Sequence, residues 1–101
     1  MIEVIFKKNN KLIKFSSKGH ANFNENGKDL ICSAVSSIII GGLNALQNKD
    51  SFVIKIKSGY VDVESLIDAS EHDIIVFETI YIQLKTIEEN YSKYLKVIWR
   101  E

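Results

Sequence analysis

The segment DLICSAVSSIIIGGLNALQ, residues 29–47, decides the fold. Asp29 is a residue type that caps helices, and the apolar residues after it recur at helical spacing. Residues 30–47 carry no charge, but serines and two glycines interrupt the apolar run. The segment therefore predicts a buried helix that ends near Gln47 or Asn48, and not a membrane span. Gly41 and Gly42 lie inside this helix, where we expect both to permit close packing.

On either side of this helix, apolar and polar residues alternate as they do in strands. Asn9–Asn10 and Ser58–Gly59 are typical of the turns of hairpins. A second helical stripe, capped by Ser70 or Asp68, precedes the last strand. The predicted strands comprise residues 2–7, 12–15, 52–57, 61–63 and 95–99. The order ββαββαβ predicts a single α+β domain over residues 1–101, with two helices packed on one face of a mixed β-sheet.

Composition narrows the functional classes. The chain has 101 residues, with 13 basic and 13 acidic side chains and a formal net charge of zero. Such a chain has no overall field to attract nucleic acid or a membrane surface, so we expect neither as a partner. Cys32 is the only cysteine, which excludes an internal disulfide and a multi-cysteine metal site. A free thiol suits the reducing cytoplasm, and the first residues alternate instead of forming an apolar signal sequence.

A candidate catalytic pair flanks the start of the first helix. From Ser16 to Lys28 the strand pattern gives way to a polar loop that contains His20, and so long a loop in a small domain is often functional. With Asp29 as the cap, Cys32 falls in the first helical turn, where free backbone N–H groups and the helix dipole favour an anion. The spacing therefore favours a Cys32 thiolate, with His20 as the base that takes its proton.

Each of these residues also has a plainer interpretation. A cysteine in an apolar helix is most often a small core residue, and a histidine in a polar loop is usually solvated. Asp29 could cap the helix or orient the imidazole of His20. A metal site from His20, His72 and Cys32 is not expected, because nothing brings His72 near the other two. A non-catalytic binding module and a thiol redox sensor are the other functions that the residues leave open.

Two motifs make this region recognisable. They are Gly19-His20-Ala21 and the run GKDLICSAVS, residues 27–36. With the chain length and the order of elements, these motifs resemble the ribosomal-processing cysteine protease family, Prp, over nearly the whole chain. The pattern of that family is Gly-His-Ala, a variable loop, then Gly-x-Asp, two hydrophobic residues and Cys. Ser33 is a departure, because many members have alanine there.

The resemblance implies an activity and a role for each matching residue. The activity is removal of a short N-terminal extension from a large-subunit ribosomal protein, the twenty-seventh, by cleavage after an aromatic residue. The family works as a cytoplasmic homodimer without a metal or cofactor. Carried over to this chain, the catalytic residues are Cys32 as nucleophile, His20 as general base and Asp29 as third member, and the substrate-binding residues are Gly19, Gly27 and Ser36.

The two helices carry more apolar surface than one sheet face needs. Ile38–Ile40 widens the first stripe, and Ile74–Val76 with Ile82 widens the second. Unpaired apolar surface of this kind usually becomes an interface, and a twofold arrangement is the commonest closed one. The pattern therefore predicts a homodimer, in agreement with the resemblance.

Overall fold

The computed structural model describes residues 1–21 and 29–101 of the chain. Within these residues five strands and two helices follow the predicted order ββαββαβ, with a short 3₁₀ turn at Lys49–Ser51. The strands are β1 (Ile2–Asn9), β2 (Leu12–Lys18), β3 (Phe52–Lys57), β4 (Tyr60–Ser65) and β5 (Leu95–Arg100), and the helices are α1 (Leu30–Asn44) and α2 (Glu71–Tyr91). The predicted α+β class is confirmed.

The strands form one mixed sheet in the order β3-β4-β2-β1-β5. Only the β1–β5 pair is parallel among the strand pairs of the described residues. The alternation predicted for the strands puts their apolar side chains on the face that α1 and α2 cover, where Phe6, Phe15 and Val63 are fully buried. Phe77 of α2 packs against Phe15 with a ring separation of 6.3 Å. This single core fixes both helices on the sheet.

β2 is longer than predicted. The alternation indicated a strand that ends at Phe15, but β2 continues to Lys18. Ser17 pairs with Val4 on one side and with Val61 on the other. Because both neighbouring strands supply ladder partners, the weak strand propensity of serine is overridden. The predicted loop is therefore wrong at residues 16–18, and its residues 22–28, Gly27 among them, lie outside the described residues.

α1 is shorter than predicted and ends at Asn44. The N–H of Ala45 turns back to a carbonyl only three residues earlier, which tightens the helix and ends it. The next free N–H groups belong to Gln47 and Asn48, and the carboxylate of Asp73 accepts both, at 2.8 and 3.0 Å. A side chain of α2 thus binds the backbone just beyond the helix end, where the sequence predicted further helix. None of the helices in the described residues combines the length and apolar character needed to cross a bilayer.

The two glycines of α1 differ in what they do. A Cβ on Gly42 would collide with the side chain of Ile80 in α2, so this glycine lets the helices approach closely, as predicted. A Cβ on Gly41 would meet nothing within 4 Å. The packing role predicted for Gly41 is therefore wrong.

Candidate active site

Cys32 lies in the first turn of α1, as the sequence predicted. Asp29 is the N-cap, and its Oδ1 accepts the N–H of Cys32 at 3.0 Å. The backbone carbonyl of Asp29 accepts the N–H of Ser33 at 3.1 Å, the first bond of the helical ladder. The sequence left two roles open for Asp29, capping the helix or orienting the imidazole of His20. The described contacts show the capping role.

The backbone that carries His20 is held from several directions. The N–H of Gly19 donates to the carbonyl of Gly59 at 2.9 Å. The amino group of Met1 donates to the carbonyl of His20 at 2.8 Å. Gly19 has a φ of +105°, and a Cβ there would collide with the carbonyl of Met1, so only glycine fits. The next N–H, that of Ala21, donates to the Sγ of Cys32 at 3.3 Å.

The imidazole of His20 lies against the turn between β3 and β4. A Cβ on Gly59 would lie 2.5 Å from the Nε2 of His20 and 2.8 Å from its Cε1. Gly59 also has a positive φ of 67°, which favours glycine in the turn. The sequence predicted Gly59 only as part of a hairpin turn, because nothing local in the sequence indicates that the imidazole of His20 packs on it.

Cys32 and His20 line one cleft with a volume of about 330 Å³. Gly19 and Ser36, two of the predicted substrate-binding residues, line it as well. The cleft lies between α1 and the ends of the strands, and its apolar lining comprises Ile2, Val35, Ile39, Ile40, Ile56 and Val61. The fold therefore brings a thiol, an imidazole and an apolar pocket together. A thiol peptidase needs these three features: a nucleophile, a base and a binding pocket.

The surroundings of Cys32 raise the pKa of its thiol. Burial is the largest cause, because it disfavours the charged form. The N–H of Ala21 lowers the pKa, but the carboxylate of Asp29 raises it further. Among the described residues, no hydrogen bond joins the imidazole of His20 to Sγ. The described surroundings therefore favour the thiol over the thiolate, and the thiolate predicted for the helix start stays a prediction.

His72, the second histidine, is far from this chemistry in the fold. It lies in the first turn of α2, and its Nδ1 is 2.8 Å from the Oδ1 of Asp73. It is not part of the lining of the cleft that holds His20 and Cys32. Within residues 1–21 and 29–101, no three histidine, cysteine or acidic side chains are grouped closely enough to hold a metal ion.

Comparison with known proteins identifies the family of this chain. The family model for cysteine protease Prp matches residues 1–96. The chain belongs to the Prp family of cysteine proteases. The ribosomal processing cysteine protease Prp of Mycoplasma genitalium is 33% identical over 81 residues, covering 80% of this chain and 82% of that protein. The Prp of Bacillus subtilis is 30% identical over 94 residues, covering 85% and 84% respectively.

Solved Prp structures have the same fold. The S. aureus ribosomal processing protease Prp, in complex with a covalently linked product peptide, matches with a TM-score of 0.83 and 25% identity. The match covers 98% of this chain and 99% of that chain. SMU.848 from Streptococcus mutans shares the fold, with a TM-score of 0.73 at 22% identity. The family predicted from the two motifs is confirmed, and the chain is a cysteine protease of the ribosomal processing family.

Proposed function

We propose that this Prp protein removes the short N-terminal extension of a large-subunit ribosomal protein, the twenty-seventh, by cleavage after an aromatic residue. The Prp relatives are ribosomal processing cysteine proteases, and the S. aureus structure holds a covalently linked product peptide. The observation that carries the proposal is that Cys32 and His20 line the same cleft beside an apolar pocket. An extended peptide chain can enter such a cleft and bury an aromatic side chain there.

In the proposed reaction His20 acts first as general base and then as general acid. With substrate bound, its imidazole takes the proton of Cys32, and the thiolate attacks the carbonyl carbon of the scissile bond. The imidazolium returns the proton to the amine as the C–N bond breaks, leaving an acyl-enzyme. Water, deprotonated by His20, then hydrolyses the thioester and restores the thiol. The reaction needs no metal or cofactor.

Two neighbours of the sulfur shift the pKa of the thiol in opposite directions. The N–H of Ala21, 3.3 Å from Sγ, can stabilise the thiolate. The carboxylate of Asp29 disfavours it and raises the thiol pKa. In the proposed reaction, the imidazole of His20 takes the proton from Cys32 against this rise in its pKa. A role for Asp29 as third catalytic member stays a prediction, because its described contact is with the N–H of Cys32.

The remaining parts of the proposal concern binding and assembly. Gly19 and Ser36 line the cleft, which supports their proposed contact with substrate. We propose a homodimer, supported by Ile75 and Ile82 of α2, which are 53% and 63% exposed. We propose the cytoplasm as the place of action, because a ribosomal protein is the substrate and the catalytic sulfur is a free thiol.

The test is cleavage of a synthetic peptide that spans the junction of the extension. The wild type should cut it once, and Cys32→Ala should cut at the background rate because the nucleophile is gone. His20→Ala should lose a factor of about 10²–10⁴, the usual contribution of a general base. Ser33→Ala is the matched control, since Ser33 is exposed beside the nucleophile and should keep full activity. Undiminished cleavage by Cys32→Ala would refute the proposal.

A non-catalytic binding module is the second candidate, and the raised pKa of Cys32 favours it. A module that only grips the extension needs no thiolate. It predicts that the wild type and Cys32→Ala bind the peptide with equal affinity and that neither cuts it. Mass spectrometry of the incubated peptide, beside a titration by fluorescence anisotropy, distinguishes the two candidates.

A further inference from the structure

The face of the sheet that the helices leave open is basic, although the chain as a whole has no net charge. α1 has no charged residue, and α2 is acidic, with Lys85 as its only base. The exposed cations on the open face are Lys7, Lys14, Lys18, Lys55, Lys57, Lys96 and Arg100. The acids on that face are Glu3, Asp62 and Glu64. The expectation that nucleic acid is not a partner relied on the sum of the charges, which hides this separation.

Three of these cations lie side by side at one end of the sheet. Lys7 of β1 pairs with Lys14 of β2 on one side and with Arg100 of β5 on the other. Glu64 of β4, on the far side of Lys14, is the acid in this row. None of the three cations forms an ion pair with a described residue. Because like charges directly opposite each other destabilise a sheet, the row carries a repulsion that a bound anion would relieve.

A shallow depression of about 190 Å³ lies beside this row on the open face. Its lining comprises Ile5, Lys7, Lys14, Ser16, Lys18 and Asp62. Three ammonium groups and a hydroxyl therefore surround it, against a single carboxylate. Lysine and serine side chains are among the donors that contact phosphate oxygens in complexes with nucleic acids.

We propose that this open face binds the sugar-phosphate backbone of RNA. Residues paired across neighbouring strands lie about 5 Å apart, so the row of Lys14, Lys7 and Arg100 spans about 10 Å. One strand of a nucleic acid presents about three phosphates over that length. RNA is the polyanion that a protease of a ribosomal processing family meets. A basic face would hold the enzyme where ribosomal proteins assemble.

An anionic membrane is the other polyanionic surface to consider. Surfaces that bind membranes combine basic residues with apolar side chains that enter the bilayer together. On the open face, the most exposed apolar side chains are Leu12 and Val53, each 42% exposed. They lie on β2 and β3, with β4 between them, so they form no continuous apolar patch. The face therefore fits a nucleic acid better than a bilayer.

The test is fluorescence anisotropy with a fluorescein-labelled single-stranded RNA of mixed sequence. We expect the wild type to bind it, with an affinity that falls about 16-fold for a fourfold rise in salt, the dependence that about three phosphate contacts produce. Lys7→Glu should weaken binding about tenfold, because it places an acid in the middle of the row. This variant should fold, since it turns two cross-strand repulsions into attractions.

Lys93→Glu is the matched control, because it makes the same change of charge at an exposed position in the turn before β5. It should bind RNA like the wild type. Arg100→Glu, at the end of the row, is a second variant that keeps the inference testable if Lys7→Glu fails to fold. Both row variants should cut the test peptide at the wild-type rate, because the cleft lies on the helical side of the sheet.

Each outcome decides the inference. Wild-type RNA affinity in both row variants would overturn it, and so would an equal loss of affinity in Lys93→Glu. A wild type that binds vesicles of phosphatidylserine but no RNA would assign the face to a membrane and overturn it as well. A wild type that binds RNA but cuts no peptide would overturn the proposed function alone and leave this inference standing.

Discussion

At the scale of single residues, Asp29 affects Cys32 in two ways, through the helix that it caps and through its charge. The Asp29 side chain starts the helix whose first turn holds the sulfur, but its charge raises the pKa of the thiol. Asp29→Asn separates the two effects, because asparagine caps as well as aspartate while carrying no charge. We expect the pKa of Cys32 in this variant to fall toward the ordinary value of about 8.5 for a free cysteine.

The pH dependence of iodoacetamide alkylation measures this shift. The rate follows the thiolate fraction, so the wild-type profile should have its midpoint above about 8.5. The Asp29→Asn profile should lie at lower pH, with faster alkylation near neutrality. Asp50→Asn, an exposed carboxylate elsewhere in the chain, should leave the profile unchanged. A wild-type midpoint below that of free cysteine would show that the resting sulfur is already a thiolate.

The sequence indicates the two candidate residues, Cys32 and His20, that line one cleft, but not the electrostatics around them. The position of Cys32 after a capping residue could be read directly, because capping and helical spacing are local. The burial that raises the thiol pKa arises only in the folded chain, and the ring of His20 packs on Gly59 of the β3–β4 turn, which is distant in sequence. The sequence predicts a loop at Ser17 for the same reason, since only its strand partners show that it lies on the cleft side of the sheet.

At the scale of elements, Asp73 joins the end of α1 to the start of α2. Its side chain is fully buried, and its carboxylate accepts the N–H groups of Gln47 and Asn48 and contacts the Nδ1 of His72. Burial alone would raise the pKa of Asp73, but these donors outweigh it and hold the pKa below its ordinary value. The folded protein therefore favours the carboxylate, which adds stability above the unfolded pKa of about 3.9.

Asp73→Asn should destabilise the protein at pH 7 by on the order of 1–3 kcal/mol, because the amide cannot accept all these donors. The stability that Asp73 contributes is lost as the pH falls through its lowered folded-state pKa. The difference between wild type and variant should therefore shrink below about pH 4. Urea unfolding of both proteins at several pH values checks this, with Asp50→Asn as the exposed control. A difference in stability that stayed constant from neutral to acid pH would contradict the role of the carboxylate.

The junction of α1 and α2 at Asp73 shows which features of the elements could not be predicted from sequence. The order and type of the five strands and two α-helices of the described residues followed from local periodicity. The end of α1 did not, because Asp73, which takes the next N–H groups, comes from another helix. Gly41 and Gly42 are likewise indistinguishable in sequence, yet only Gly42 faces Ile80.

At the scale of the whole molecule, one helix exposes large apolar side chains to a potential second copy. Ile75 and Ile82 are exposed two turns apart on α2. A shallow apolar cavity of about 190 Å³ adjoins Ile75, between α1 and α2, and is lined in part by Gly42 and Val76. A twofold homodimer through this side would cover both isoleucines and extend the core across the axis. Stable interfaces of this kind bury roughly 1,200–2,000 Å² in total, about half of it from each partner.

We expect the wild type to sediment as a dimer and Ile75→Lys or Ile82→Lys to sediment as a monomer. Both side chains are exposed in the single chain, so lysine should not unfold it, but a twofold axis would bring two unpaired charges into the interface. Val53→Lys is the matched control, because Val53 is 42% exposed on β3 and points away from the helices. Sedimentation velocity at several concentrations decides the matter. A monomeric wild type, or a dimer that tolerates lysine at both α2 positions, would exclude this face as the interface.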